Sequence, residues 1–384
     1  MAIFRFIKTP WIYPNVNFLN IWDWFERPVL QPRAGQHERE LRDLVMLYHH
    51  VRDMKEIDPE NYIVTLTNAR DRAEAIDEPW YALFFGFWCC STLIFQVKDL
   101  NRARDLATKL VVESRKPVYV GCPVMGWVYL TLMDVHMKID PIGYAPKIYE
   151  SLNFLENEVP IEYDTYCILE GRRSSMAYVF DQVEEACLLA ERYLARSEHS
   201  NYRKIHANLM LCSLHYELGN DALALTYAQQ AEHFARLRGR LRSIIECNAW
   251  QALLLFKAGD ETQGTQLYRQ AAAKMGEYAF TPWLSYAKLI GDFHELKGQP
   301  EKAISLYDQV LDAIIGMGQH YDECMGRLEQ CRLLGRLGEP CDDELRAAYA
   351  VTEKLIDPSL LVALLDRVKQ GDFSSRYIDR KAKE

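Results

Sequence analysis

The chain lacks most of the short signatures that announce chemistry. Its ten cysteines include no CxxC pair, and neither an HExxH motif nor a His/Cys cluster with zinc spacing occurs. No GxxxxGK[ST] loop is available to cradle a phosphate, no GxGxxG follows a strand pattern, and no GxSxG presents a serine nucleophile. A basic excess is also missing. With 45 Lys and Arg against 54 Asp and Glu the net charge is -9, which argues against nucleic-acid binding driven by general electrostatics. Uninterrupted apolar runs are scarce. The most apolar stretch, residues 80–97, is broken by Cys89, Cys90, Ser91, Thr92 and Gln96, and its aromatics suit a buried helix better than a membrane span. Pro10, Trp11, Pro14 and Asn15 stand where a signal peptide would need an apolar core. These absences lead to the expectation of a soluble, cytoplasmic protein whose cysteines are reduced and packed as small hydrophobes. What is present is bulk: 384 residues, 49% hydrophobic and 26% charged, enough for a large core.

The hexapeptides "IDPENY" (57–62) and "IDPIGY" (139–144) share the pattern IDPxxY. Aligned on their aspartate, the chain repeats at Asp58, Asp99, Asp140, Asp181, Asn220, Asp260, Gln299 and Glu339, with spacings of 41, 41, 41, 39, 40, 39 and 40. Asp and Asn cap the free N–H groups that open a helix. Proline follows at Pro59, Pro141, Pro300 and Pro340, matching the first helical position. Glycine precedes the cap at Gly219, Gly259, Gly298 and Gly338, as expected of the left-handed residue that ends the preceding helix. Each period therefore reads as helix, tight turn, helix. The flanks agree: Ala303, Leu306, Tyr307, Val310, Leu311 and Ile314 fall on one helical face. Small residues recur in the first helices at Ser91, Cys212, Ala252, Gly291 and Cys331, where helix axes can approach closely.

Residues 284–311, "LSYAKLIGDFHELKGQPEKAISLYDQVL", resemble a tetratricopeptide repeat: Gly291 in the first helix, Gly298 in the turn, then Ala303, Tyr307 and Val310. Partial matches flank it, at Ala224, Ala228 and Ala231, and at Gly264, Tyr268 and Ala271. The period of about 40 is longer than the usual 34. In this it is similar to the helical domains of bacterial maltose-type transcriptional activators and of peptide-sensing regulators. The resemblance implies an all-α, right-handed superhelical solenoid of about eight antiparallel helix hairpins over residues 37–370. An aromatic N-terminal arm or cap precedes it (1–36, with Trp11, Tyr13, Phe18, Trp22, Trp24 and Phe25), and a polar tail follows (371–384).

The resemblance also implies a non-catalytic scaffold or adaptor that binds a protein or peptide on its concave face. The alternative is a stand-alone sensor of a peptide or small ligand that changes conformation or assembly on binding; an enzyme ranks below both. Concave-face candidates are Tyr129, His136, Tyr166, Arg173, Asn208, His215, Asn248, Gln251, Tyr286 and Asp292. Asn208 and Asn248 occupy equivalent places in successive repeats, and paired asparagines can clamp a peptide backbone. Arg236, Arg238, Arg240 and Arg242 alternate in a basic loop suited to carboxylate or phosphate. Asp58, Asp99, Asp140, Asp181, Asn220 and Asp260 are read as structural caps. No residue is assigned to catalysis, a cofactor or a metal, and no oligomeric state is read from the sequence.

Overall fold

A computed structural model describes residues 21–158, 164–278, 280 and 282–374, without the side chains of residues 164–167. Trp11, Tyr13 and Phe18 of the arm, and the tail beyond residue 374, lie outside the described residues. Among those described there is no strand. The helices in chain order are α1 (Ile21–Phe25), α2 (Arg27–Leu30), α3 (Gln36–Val51), α4 (Met54–Ile57), α5 (Pro59–Ala75), α6 (Pro79–Thr92), α7 (Leu100–Ser114), α8 (Met125–Ile139), α9 (Ala145–Glu158) and α10 (Asp164–Val179). They continue with α11 (Val183–Arg196), α12 (Asn201–Glu217), α13 (Asp221–Leu237), α14 (Leu241–Lys257), α15 (Glu261–Glu277), α16 (Leu284–Leu296), α17 (Pro300–Ile314), α18 (His320–Leu337), α19 (Asp342–Thr352) and α20 (Ser359–Lys369). A π-helical turn, Leu93–Val97, extends α6.

The turn chemistry explains the hairpins. Gly219, Gly259, Gly298 and Gly338 have φ of 76°, 94°, 65° and 75°, a left-handed conformation open to glycine at little cost. The next residue's N–H then returns to a carbonyl five residues back, as in Asn220 to His215 at 2.8 Å and Gln299 to His294 at 2.8 Å. This closure ends one helix and leaves the following residue at the start of the next. Asp58, Asp99 and Asp260 accept from the backbone N–H three residues on, at 3.2, 3.0 and 3.1 Å.

Other positions depart from the reading of the sequence. Asp181 is not a cap. It has a φ of 63° and takes the left-handed place that glycine fills elsewhere, so Gln182 precedes α11 instead. Asn220 stands before α13 but makes no side-chain cap bond. Pro141 falls in a turn and Pro340 in an irregular segment, ahead of helices that begin at Ala145 and Asp342.

The chain divides into two compact units, the first comprising residues 1–138 and 146–169 and the second 139–145 and 170–384. The first has an aromatic core. Phe25 stacks on Phe84 with ring centroids 4.0 Å apart, Trp22 lies 5.8 Å from both Tyr48 and Phe84, and the Tyr81 hydroxyl donates to the Phe25 carbonyl at 3.2 Å. Pro79–Val97 is long and apolar enough to cross a membrane by composition, but 61% of it is buried within the protein.

The second unit is built on small residues. Cys212, Ala252 and Cys331 are fully buried, and a Cβ at Gly264 would sit 2.8 Å from the Ala252 carbonyl oxygen, so α14 and α15 meet almost backbone to backbone. Asp140 serves this unit from afar. Its carboxylate accepts from Gly143 N at 2.9 Å and from Ile356 N and Asp357 N at 2.7 and 3.2 Å.

Candidate functional site

In the second unit, the first helices of successive hairpins, α10, α12, α14, α16 and α18, share a continuous set of polar side chains. The Tyr178 hydroxyl of α10 donates to Glu217 of α12. On α12 the neighbouring Tyr216 hydroxyl donates to Asp292 of α16 at 3.5 Å. Lys257 of α14 donates to Asp221 at 2.9 Å and lies 4.7 Å from the Tyr216 ring. Arg332 of α18 reaches back to α16 and grips Glu295 with two guanidinium nitrogens, at 2.5 and 3.0 Å. Its third nitrogen bonds Glu329 at 2.9 Å, and Arg336 adds a contact to Glu295 at 3.2 Å.

The electrostatics follow from this crowding. Burial pushes the Asp292 carboxyl up to about 7, against the opposing pull of Lys288. Burial works to lower the Lys288 ammonium, but Tyr178, Glu217, Glu329 and Asp292 together outweigh it and raise it. Burial likewise opposes charge on Arg332, and Glu329 and Glu295 more than restore it. The result is a face with donors and acceptors of both signs, held away from bulk water and compensated by one another. A buried ion pair keeps its charges only through such mutual satisfaction.

The residues singled out from sequence scatter around this face. Asp292 belongs to it. Asn248 is fully buried and neither amide atom has a hydrogen-bond partner. Asn208, also fully buried, donates to the Lys204 carbonyl at 2.7 Å while its Oδ1 has no partner. Gln251 instead turns to α13 and donates to Glu232 at 2.7 Å. His215 approaches the Cys187 thiol at 3.4 Å. Arg173 is half-buried on α10, and the side chain of Tyr166 is outside the described set. In the first unit, Tyr129 is buried against Phe154, with ring centroids 4.6 Å apart, and burial beside Lys147 and Arg104 pulls the His136 imidazole down to about 4.

Tyr286 lines a groove of about 730 Å³ on another side of α16, bounded by Tyr268, Ile290, His294 and Leu306. His294 there meets the Tyr268 hydroxyl at 3.2 Å, and burial with Lys302 and Lys297 pulls it down to about 4. The four arginines are all exposed but not equally open. Arg236 pairs with Glu232 at 2.5 Å, Arg240 lies over Tyr202 at 4.8 Å, and Arg242 lies over Trp283 at 4.1 Å.

Sequence reasoning passed over Glu217, Lys257, Lys288, Glu295, Glu329 and Arg332. A signal was present: Glu217, Lys257 and Arg336 each stand five residues past a small residue of the first helices, and Asp292 and Arg332 stand one past. That register picks out the face that the small residues do not use for packing.

No protein-family description matches the chain, and no curated protein does. Among solved structures the chain is similar to one described as a Rap protein complexed with competence and sporulation factor, with a TM-score of 0.51 and 9% identity over 77% of this chain and 88% of that one. With its helix pairs packed in sequence order, the chain thus has an all-α, tetratricopeptide-like helical-repeat fold.

Proposed function

We propose that the protein is a non-catalytic, cytoplasmic adaptor or regulator that binds a peptide or an extended protein segment on the polar first-helix face of its second unit. The observation that carries this reading is the network of Glu217, Lys288, Asp292, Glu295, Glu329 and Arg332, which joins alternate helices across successive repeats. An extended chain presents regularly spaced amides and side chains, and a row of equivalent helix faces matches that regularity. Asn248, buried with donor and acceptor both unused, provides the complement of a peptide unit. The solved Rap structure is described as a complex with competence and sporulation factor, and the shared fold supports a bound effector here as well. The unpaired cysteines among the described residues suit a reducing compartment.

Panning a random-peptide library against the full chain tests the proposal. Enriched peptides should bind the wild type and lose at least about tenfold in affinity, roughly 1.4 kcal/mol, against Lys288→Gln and Asn248→Ala. If both variants bind the enriched peptides as the wild type does while remaining folded, the assigned face is wrong. Small-angle scattering with and without the best peptide then separates a regulator, which changes shape, from a constitutive adaptor.

A further inference from the structure

We propose that Cys187, Glu191 and His215 form a binding site for a zinc-class divalent cation. Cys187 and Glu191 are four residues apart on α11 and so share a helical face; His215 comes from α12, the next helix. The Cys187 sulfur and His215 Nε2 are 3.4 Å apart, and one ligand atom from each of the three residues lies within 4.8 Å of the others. Tetrahedral zinc with bonds of about 2.3 Å to sulfur and about 2.0–2.1 Å to nitrogen places those two ligands roughly 3.5 Å apart. The sulfur and nitrogen already stand at that separation. Glu191 is exposed, so its carboxylate is free to swing in, and a water completes the set from the solvent side.

The surroundings support the imidazole in the required form. His215 stacks against Tyr227, ring centroids 5.4 Å apart and planes 10° from parallel, which fixes its plane. Its Nδ1 lies 3.5 Å from the Asn220 side-chain amide. With the cation on Nε2, Nδ1 carries the hydrogen, and the amide turned over offers its oxygen as acceptor, an outer contact of the kind that orients metal-bound histidines. The charges balance: one thiolate and one carboxylate neutralise a divalent ion.

Burial and then Glu191 push the Cys187 thiol up, and burial, against the opposing Glu191, lowers the His215 imidazole. Binding therefore exchanges the thiol proton for the cation. The sulfur–hydrogen bond breaks, its proton passes to buffer, and the sulfur lone pair bonds the metal, with no change of oxidation state. His294 offers an internal contrast. Like His215 it sits five residues ahead of the residue that follows a turn glycine, yet its Nε2 meets a tyrosine hydroxyl rather than a thiol, and among the described residues it joins no such cluster.

The test uses the full chain, stripped with chelator and kept reduced, titrated anaerobically with cobalt(II) and then zinc(II). We expect one cobalt per chain with a thiolate-to-cobalt absorption band, displacement of the band by zinc, and a calorimetric signal that varies with buffer ionisation by about one proton. Cys187→Ser should abolish the band. Glu191→Gln, at an exposed position, should keep the fold and the band but weaken binding about tenfold or more, within the range seen when metal-site residues are altered. Absence of the band at saturating cobalt in the wild type would overturn the proposal. Unchanged cobalt affinity in Glu191→Gln and an unchanged band in Cys187→Ser would do the same.

Discussion

Helices α6 and α16 hold the same place in their hairpins, as first helices, and use it in opposite ways. In α6 the residues Tyr81, Phe84, Phe85 and Cys89 are all buried, and Trp22 and Phe25 of α1 pack against Phe84. In α16 the small Gly291 gives one side to packing, while Lys288, Asp292 and Glu295 place ionisable groups on another. One repeat plan thus yields a unit that satisfies its first helices internally and a unit whose first helices keep polar capacity. The difference is why the proposed recognition face is assigned to the second unit: a helix that has spent its faces on aromatic packing has little left to offer a partner.

The sharpest way to break this contrast is Phe84→Ala. Phe84 is fully buried and touches Trp22, Phe25, Tyr48 and Trp88, so its removal should cost about 3–5 kcal/mol. Denaturant unfolding checks the loss. The variant should bind the library-selected peptides as the wild type does under conditions where it is folded; a matching loss of affinity would show that the aromatic unit takes part in recognition.

Asp292 allows a finer test on the other side of the comparison. Burial holds its carboxyl up at about 7 while Lys288 pulls it down, with Glu329, Arg332 and Glu295 also bearing on it. An unfolded aspartate titrates near 3.9, so between roughly pH 4 and pH 7 the folded chain binds the extra proton. By linkage, this group's contribution to stability is present at the acid end and is lost as pH rises through that window. Asn cannot ionise. The melting temperature of Asp292→Asn relative to wild type should therefore climb steadily from pH 4.5 to 7.5; a constant difference would mean that Asp292 titrates as an ordinary surface carboxylate.

The repeat was legible in the sequence because turn chemistry is local. Asp58, Asp99 and Asp260 cap through the N–H three residues on, and a left-handed glycine needs only its own backbone to declare itself. Asp181 shows where such reasoning stops: an aspartate tolerates left-handed φ as well as capping, and only the closure between Gln182 N and the Ala177 carbonyl decides which role it takes. Asp140 shows another limit, since its partners Ile356 and Asp357 are more than 200 residues away. The site was less legible for the same reason. Lys288 and Arg332 acquire their meaning from Glu217, Glu295 and Glu329 on other helices, and Cys187 meets His215 across 28 positions. Spacing within one helix reports neither.

The smallest expected effect returns to the first IDPxxY turn. The Asp58 side chain accepts a single backbone hydrogen bond, from Asn61 N at 3.2 Å, in an exposed setting, and Pro59 already presets the backbone of α5. Asp58→Ala should accordingly cost about 1 kcal/mol, the usual value of a lost cap, read as a shifted denaturation midpoint with an unchanged slope. Peptide affinity should stay at its wild-type value, because the turn belongs to the aromatic unit and contributes one local bond to it. A variant with full stability and reduced peptide affinity would show that the repeated hexapeptide is a recognition element in its own right, and it would move part of the proposed binding into the unit built on aromatic packing.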